Sequence, residues 1–383
     1  MKNQTAINHK SDVSKIINAI AVQETRAWIN GTSGVRQALS SLSLAYWRRT
    51  QYVLLLLGMV LLAMLLYRPA LGLNIMWNGL IPMAPALIVI APGLWRNICP
   101  MATFSLLPHR LGISKRKTLP RRWAAILSFI GLSALFAIVP LRHLSLDTNG
   151  PLTALMLVLS ALVAISLGMA FEWRSGWCNA LCPIHPVEKL YGQTPAITLP
   201  NMRCDECRNC TTPCPDSTRS MNPSVTGSTL IEQATAHLMI GGLAGFIWGW
   251  YRLPDFHGTV DMGEIVSAYA WPLGGALVSL AIYTSAYQWV YRSSAAHRLL
   301  VKLFATAAVC IYYWYRIPAL TGFGPNPGTG MLLDLTGSLP YLPLLSRGLT
   351  TSFFVWFLLL RKDAGASWMT RPVSKSRINR LGK

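Results

Sequence analysis

Long apolar stretches alternate along the chain with polar segments of unequal size, and the apolar stretches come close to the length of a membrane crossing. The clearest, Tyr52 to Tyr67 (YVLLLLGMVLLAMLLY), carries no charge. With its flanks it approaches the roughly 20 residues a helix needs to cross a bilayer core. The pattern predicts spans near 52–67, 72–91, 123–140, 152–171, 236–251, 266–291, 299–317 and 345–360. The second is the least regular, interrupted by Asn78, Pro82 and Pro85. Such residues are tolerated in membrane helices where neighbours satisfy the freed backbone groups. Ahead of the first span, Val13, Ile16, Ile17 and Ile20 recur at helical spacing and predict an amphipathic helix lying on the membrane or a partner. The expected fold class is an all-α polytopic membrane protein of eight transmembrane helices.

Composition agrees with this reading. Of 383 residues, 52 % are hydrophobic and 13 % charged, with a mean hydropathy of +0.38, which excludes a string of soluble domains. A net charge of +20 would suit a nucleic-acid partner, but its distribution follows membrane topology and points to none. Lys2, Lys10, Lys15, Arg26, Arg36, Arg48 and Arg49 precede the first span, and the 92–122 loop holds seven Lys and Arg with no acid. The tail after 360 is also basic, whereas the 252–264 loop has Arg252 against Asp255, Asp261 and Glu264, and the 318–344 loop has only Asp334 as an acid. The excess of positive charge on one side predicts cytoplasmic termini, with the first span as an uncleaved anchor. An even number of spans puts 172–235 on the cytoplasmic side as well. The expected organisation is a cytoplasmic amphipathic region at 1–51, a four-helix membrane module at 52–171, a cytoplasmic iron–sulfur segment at 172–235, a second four-helix module at 236–360 and a basic cytoplasmic tail at 361–383.

The chemistry is carried by cysteines. In a reducing cytoplasm a cysteine cluster is metal-binding or catalytic rather than disulfide-bonded. Cys204, Cys207, Cys210 and Cys214, followed by Pro215, give C-x2-C-x2-C-x3-C-P, the bacterial ferredoxin run for a 4Fe-4S cubane. Zinc sites usually show two separated C-x2-C knuckles instead. Upstream, GWCNALCP (176–183) supplies Cys178 and Cys182 before Pro183, and GLWRNICP (93–100) ends the second span with Cys99 before Pro100. The two read as an internal repeat in which Trp95 stands where Cys178 stands. Cys204, Cys207 and Cys210 with Cys214 or Cys182 would hold one cubane. A second, built on Cys214, Cys178 and Cys99, would need His185, a carboxylate or water as its last ligand, and the sequence leaves the number of clusters open. Cys99 as a small packed hydrophobe stays open too, and Cys310, within AAVCIYYW of the seventh span, reads as a packed residue.

The ferredoxin run preceded by C-x3-C-P at a membrane-helix end resembles the polytopic ferredoxins of the NapH/NosR type, a family of 4Fe-4S binding membrane proteins. Residues of about 51–235 carry the resemblance, with SGWCNALCPIHPVEKLYG as its most specific piece. Members of that family usually have two ferredoxin runs and two intact C-x3-C-P motifs, where this chain has one of each plus the half-motif at Cys99. The resemblance implies a multi-pass protein of the bacterial inner membrane with a small cytoplasmic ferredoxin-like iron–sulfur insert. It implies electron transfer between a quinol pool or soluble donor and a membrane or periplasmic oxidoreductase, as a quinol dehydrogenase or an electron-transfer subunit. A NosR-like redox-sensing regulatory or metalloenzyme maturation factor is the alternative.

A quinone site needs an apolar pocket with an ionisable group. His185 reads as a turn residue or a cluster neighbour, and His109 as a solvated neighbour of lipid headgroups. His143 and His257 read as solvated loop residues on the other face. His237 and His297 lie at matching depth, so interface histidines or ligands of a b-type haem are the two readings there. GFGPNPGTG (322–330) is a Pro/Gly turn rather than a phosphate cradle, since its prolines lack N–H donors. Trp248, Trp250, Tyr251, Trp289 and Tyr312 to Tyr315 read as interfacial belts. No paired intramembrane charges are evident that would mark a transport path.

Overall fold

The structure, a computed structural model, describes residues 41–117, 119–172, 174–191, 195–205, 229–256, 261–290, 293–324, 330–362 and 369–370. The amphipathic region expected before residue 41, the cysteines at 207, 210 and 214, and the tail beyond 370 lie outside the described residues. Among the described residues, eight helices are long and apolar enough to cross a membrane. They are α1 (Ser41–Tyr67), α2 (Pro69–Ile90), α5 (Arg121–Leu141, continued as a π-helical turn over Arg142–Leu146) and α6 (Gly150–Ala170), then α9 (Leu230–Trp250), α10 (Met262–Val290), α11 (Ser294–Leu320) and α12 (Leu342–Leu360). The chain is a multi-pass membrane protein, and its outer surface is apolar where lipid would lie: Val53, Leu56, Leu57 and Val60 of α1 and Leu155, Leu159 and Leu162 of α6 are exposed.

Four shorter helices sit at the end of the bundle where α2 and α6 finish: α3 (Pro92–Ile98), α4 (Pro100–Arg110), the π-helical α7 (Arg174–Leu181) and α8 (Ile184–Tyr191). GLWRNICP therefore does not end the second span, as expected, but forms a separate helix of its own. Pro92 cannot continue a helix from α2, and Ala91 before it takes an extended φ of −140°. Pro92 and Pro100 each open the next helix, where a missing N–H costs nothing. The iron–sulfur segment expected at 172–235 is described only in part. Its described portion consists of α7, α8, a two-residue strand β1 (Leu199–Pro200) paired in parallel with β2 (Met369–Thr370), and a short turn over Met202–Asp205. Residues 230–235, counted with that segment in sequence, begin α9, which Thr229 and Glu232 start with a reciprocal capping box.

The irregularity of α2 has a local cause and a distant remedy. Its Asn74–Leu80 stretch is π-helical, and in that register the donor to the Trp77 carbonyl would be the amide of Pro82, which has no hydrogen. Arg316 of α11 supplies the bond from its Nη2, at 2.5 Å, and gives a second to Asn78 Oδ1 at 2.7 Å. One turn on, the Tyr313 hydroxyl inserts into the helix ladder, accepting from the Ala86 amide at 2.8 Å and donating to the Pro82 carbonyl at 2.7 Å. These bonds tie α11 to α2. The two membrane modules separated in sequence share one core, in which Ile88 and Val89 of α2 and Leu132 and Phe136 of α5 meet Met239, Tyr283, Val309 and Phe354. The structure also corrects the expectation about charge: Arg142 and Arg316 are both buried near the ends of α5 and α11, close to the Asp255 carboxylate.

The tightest helix contact joins α9 to α10 through Gly241, Gly245 and Gly249, a small residue every fourth position. A Cβ at Gly245 would overlap the Gly275 carbonyl oxygen, and one at Gly249 the Trp271 carbonyl oxygen. Close backbone approach through small residues is how apolar helices associate where lipid removes the usual hydrophobic drive. Gly245→Ala is expected to cost about 1–3 kcal/mol, the usual penalty for overpacking. Gly274→Ala, one residue before the contact and with open space at its Cα, is expected to be near neutral. Unfolding of both variants in mixed detergent micelles measures the difference.

Candidate functional site

Each of the two C-P turns is built by a helix that stops at cysteine because proline follows. In the first, α3 ends at Ile98 and Cys99 takes φ −54° and ψ 119°, which turns the chain before Pro100 opens α4. In the second, α7 ends at Leu181, Cys182 lies in the turn, and α8 begins at Ile184. The two copies come together on one pair of spans: α4 packs against α6, and α7 against α5. Glycine permits each approach. A Cβ at Gly168 of α6 would overlap the Ser105 carbonyl oxygen of α4, and one at Gly131 of α5 would overlap the Leu181 carbonyl oxygen beside Cys182.

This packing brings three of the sequence-predicted thiols together. Cys178 is buried with Ala102, Leu106, Ala164 and Trp177, and Cys99 and Cys182 pack against the same cluster, none of the three in a disulfide. Burial, then Glu188 and the neighbouring Cys99 and Cys178, hold the Cys182 thiol far above the ordinary thiol range. The Cys99 thiol is also raised, chiefly by burial. Both are held protonated at neutral pH in the absence of a cation.

Arg203, immediately before Cys204, is 1 % exposed and reaches back into the first turn. Its Nη2 donates to the Asn97 carbonyl at 3.2 Å, the Cys99 carbonyl at 3.0 Å and the Thr103 hydroxyl at 3.2 Å. Its neighbour Met202 donates its amide to Asn97 Oδ1 at 3.2 Å, and Gln51 of α1 donates to the Asn97 carbonyl at 3.1 Å. Burial pushes the Arg203 guanidinium down to about 10, against the pull of Cys99 and Cys178, so it stays charged at neutral pH. Its Nε and Nη1 are buried and have no hydrogen-bond partner among the described residues.

A second buried network lies beside the thiols. Arg96 Nη1 meets Glu188 Oε2 at 3.3 Å, Arg96 Nη2 donates to Asn179 Oδ1 at 3.3 Å, and His185 Nδ1 lies 3.1 Å from the same Glu188 oxygen. His185, read as a turn residue, is thus a buried helix residue at 5 % exposure. His109 is likewise buried rather than solvated, with Nε2 3.9 Å from Glu172 Oε2. Sequence reasoning passed over Arg96, Glu188 and Arg203. The available signal was a charged residue within a turn or two of each C-P motif, in segments otherwise apolar.

Cys207, Cys210, Cys214 and the Cys204 side chain are outside the described residues, and among the described residues no group of three or more His, Cys, Asp and Glu is arranged to hold a metal ion. What is described suits an iron–sulfur cluster in kind: soft thiol donors in an apolar pocket, beside guanidinium N–H groups that lack an acceptor. His237 and His297, considered as haem ligands, both pack edge-to-face on the Tyr287 ring, with centroids 4.9 and 5.1 Å away. Cys310 packs against the main core, as its sequence context indicated.

Comparison with protein-family models, curated proteins and solved structures finds no match to the chain.

Because only a thiolate is alkylated readily, Cys99 and Cys182 in iron-stripped protein are expected to react with iodoacetamide at least about tenfold more slowly than free cysteine near neutral pH. Peptide mass spectrometry reads the rates residue by residue, and reaction at the free-cysteine rate would mean that the thiol pocket is open to water.

Proposed function

We propose that the chain is a 4Fe-4S electron-transfer protein of the bacterial inner membrane, passing single electrons between a quinol pool or soluble donor and a membrane or periplasmic redox enzyme. Both termini and the cysteine end of the bundle face the cytoplasm in this reading, as the distribution of Lys and Arg supports. The observation that carries it is the tether at Arg203. The residue before the ferredoxin run is bonded to the backbone of the Cys99 turn, and that turn shares a buried cluster with Cys178 and Cys182. Thiols from both C-P turns and the start of the C-x2-C-x2-C-x3-C-P run therefore belong to one region.

A cubane held by Cys204, Cys207 and Cys210 with Cys214 or Cys182 supplies one-electron chemistry at a thiolate-ligated iron centre, tuned by burial and by hydrogen bonds to sulfur. The chain's own residues do the rest. Cys182 gives up its proton on binding iron, so loading is favoured as pH rises. Arg203 offers Nε and Nη1 as donors on the thiol side while Nη2 holds the turn. Glu188, paired with Arg96 and His185, places a carboxylate and an imidazole beside the thiols, where a proton can be exchanged as charge changes nearby. A second cubane would draw on Cys214, Cys178 and Cys99, with His185, a carboxylate or water completing the set; the burial of Cys99 and Cys178 beside Cys182 supports it.

The alternative, a redox-sensing regulatory or metalloenzyme maturation factor, is favoured by the single ferredoxin run. Quinol separates the two, since only the electron-transfer reading requires quinol to reduce the protein in membrane vesicles. Anaerobically purified full-length protein is expected to contain about four irons and four sulfides per chain for one cubane, or about eight of each for two. Cys207→Ser is expected to abolish the electron paramagnetic resonance signal of the reduced protein. Colourless, iron-free protein after anaerobic handling would overturn the proposal.

A further inference from the structure

The helix ends remote from the cysteines enclose a second concentration of buried charge. A cavity of about 50 Å³ is lined there by Arg142, His143, Tyr251, Asp255, Arg316 and Gly330, among others. Arg142 is 5 % and Arg316 3 % exposed. The Arg142 guanidinium lies over the rings of Trp77 and Trp250, 5.2 and 5.1 Å from their centroids, and cation–π contact with both helps to fix it. Arg316 is fixed by the Trp77 carbonyl and Asn78. Tyr251 stacks on Tyr315 with centroids 5.1 Å apart.

Three rigid donors in this wall lack an acceptor. Arg142 Nε, Arg316 Nε and the Tyr251 hydroxyl are buried with no hydrogen-bond partner among the described residues. The acceptors nearby are already committed or neutralised. Asp255 Oδ1 meets His143 Nδ1 at 2.6 Å, and His143 Nε2 meets the Trp250 carbonyl at 3.1 Å. Burial alone would raise the Asp255 carboxyl, but His143 and the Arg142 charge outweigh it and push it down to about 2. Burial and that neighbouring carboxylate push Asp147 up to about 7, so near neutral pH it is only partly ionised. Two buried guanidinium groups thus face one firmly ionised carboxylate. An uncompensated buried charge is costly, and so is each buried donor left without an acceptor.

We propose that this cavity binds a small free monoanion with two or more acceptor oxygens, a carboxylate or an inorganic oxyanion, held between Arg142 and Arg316 with the Tyr251 hydroxyl as a third donor. Positive charge is in excess and the unmet hydrogen bonds of the lining residues are donors only, which an anion satisfies and a cation or apolar group does not. Size sets the upper limit. With about 10–15 Å³ per water by this measure, the space admits about three to five heavy atoms, which includes formate and nitrate, and is too small for a lipid headgroup. His143, read from the sequence as solvated, is buried and bonded to the Asp255 carboxylate.

Equilibrium dialysis of the full-length protein in dodecyl maltoside against labelled formate and nitrate tests this, with chloride holding the ionic strength constant. Saturable binding of one anion per chain is expected, with a rise in the thermal unfolding midpoint. Tyr251→Phe, which removes a single hydroxyl, is expected to weaken binding roughly tenfold, the cost of one hydrogen bond to a charged group. Arg316→Gln is expected to abolish it. Should that variant fail to fold, Asp147→Asn decides instead, because removing the carboxylate should leave binding as tight or tighter. Absence of saturable binding, unchanged affinity in Tyr251→Phe, weaker binding in Asp147→Asn, or a shift produced only by phosphatidylglycerol vesicles would each overturn the proposal. Iron content, measured on the same samples, reports separately on the cysteine end.

Discussion

A backbone carbonyl left bare at the end of a membrane helix costs several kcal/mol unless something donates to it. The turn between α3 and α4 exposes such a carbonyl at Asn97, and the arrangement of the cysteine end follows from how it is met. Gln51 comes from the first span and Arg203 from more than one hundred positions further along the chain. The bonds that satisfy the turn are the same bonds that bring the beginning of the cysteine run to Cys99. Local backbone chemistry and long-range assembly of the thiols are one problem with one solution.

The same principle recurs at the other end of the bundle. Pro82 deprives the π-helical stretch of α2 of a donor, and Arg316 supplies it from α11. In both places an arginine buried among apolar helices is retained because a helix break needs it, and in both the guanidinium keeps edges that the break does not use. Those remaining edges are buried donors without an acceptor among the described residues, and both proposals draw on them. Arginine suits this role better than lysine because its planar fork serves several acceptors at once without losing its charge.

Between these ends, glycine governs how closely the helices approach. Gly131 and Gly168 let the two C-P turns sit against α5 and α6, and Gly245 with Gly275 brings α9 and α10 into backbone contact. The internal repeat at 93–100 and 176–183 is therefore more than a likeness of residues. Each copy makes a short helix, a cysteine turn and a second helix, and the two come together so that their thiols share a pocket.

The eight spans were legible in the sequence because hydropathy summed over some twenty residues is a local property, and the structure ends most of them within a few residues of the expected limits. The C-P turns were legible for a similar reason, since proline stops a helix wherever it falls. Nothing local revealed that His109, His143 and His185 are buried, because a short polar segment reads the same whether water or another helix covers it. Nor did the sequence pair Arg142 with Trp77 and Trp250, Arg316 with the Trp77 carbonyl, or Arg203 with Cys99. Those pairings join positions that become neighbours only once the helices pack, and only the tertiary structure decides which donor meets which broken ladder.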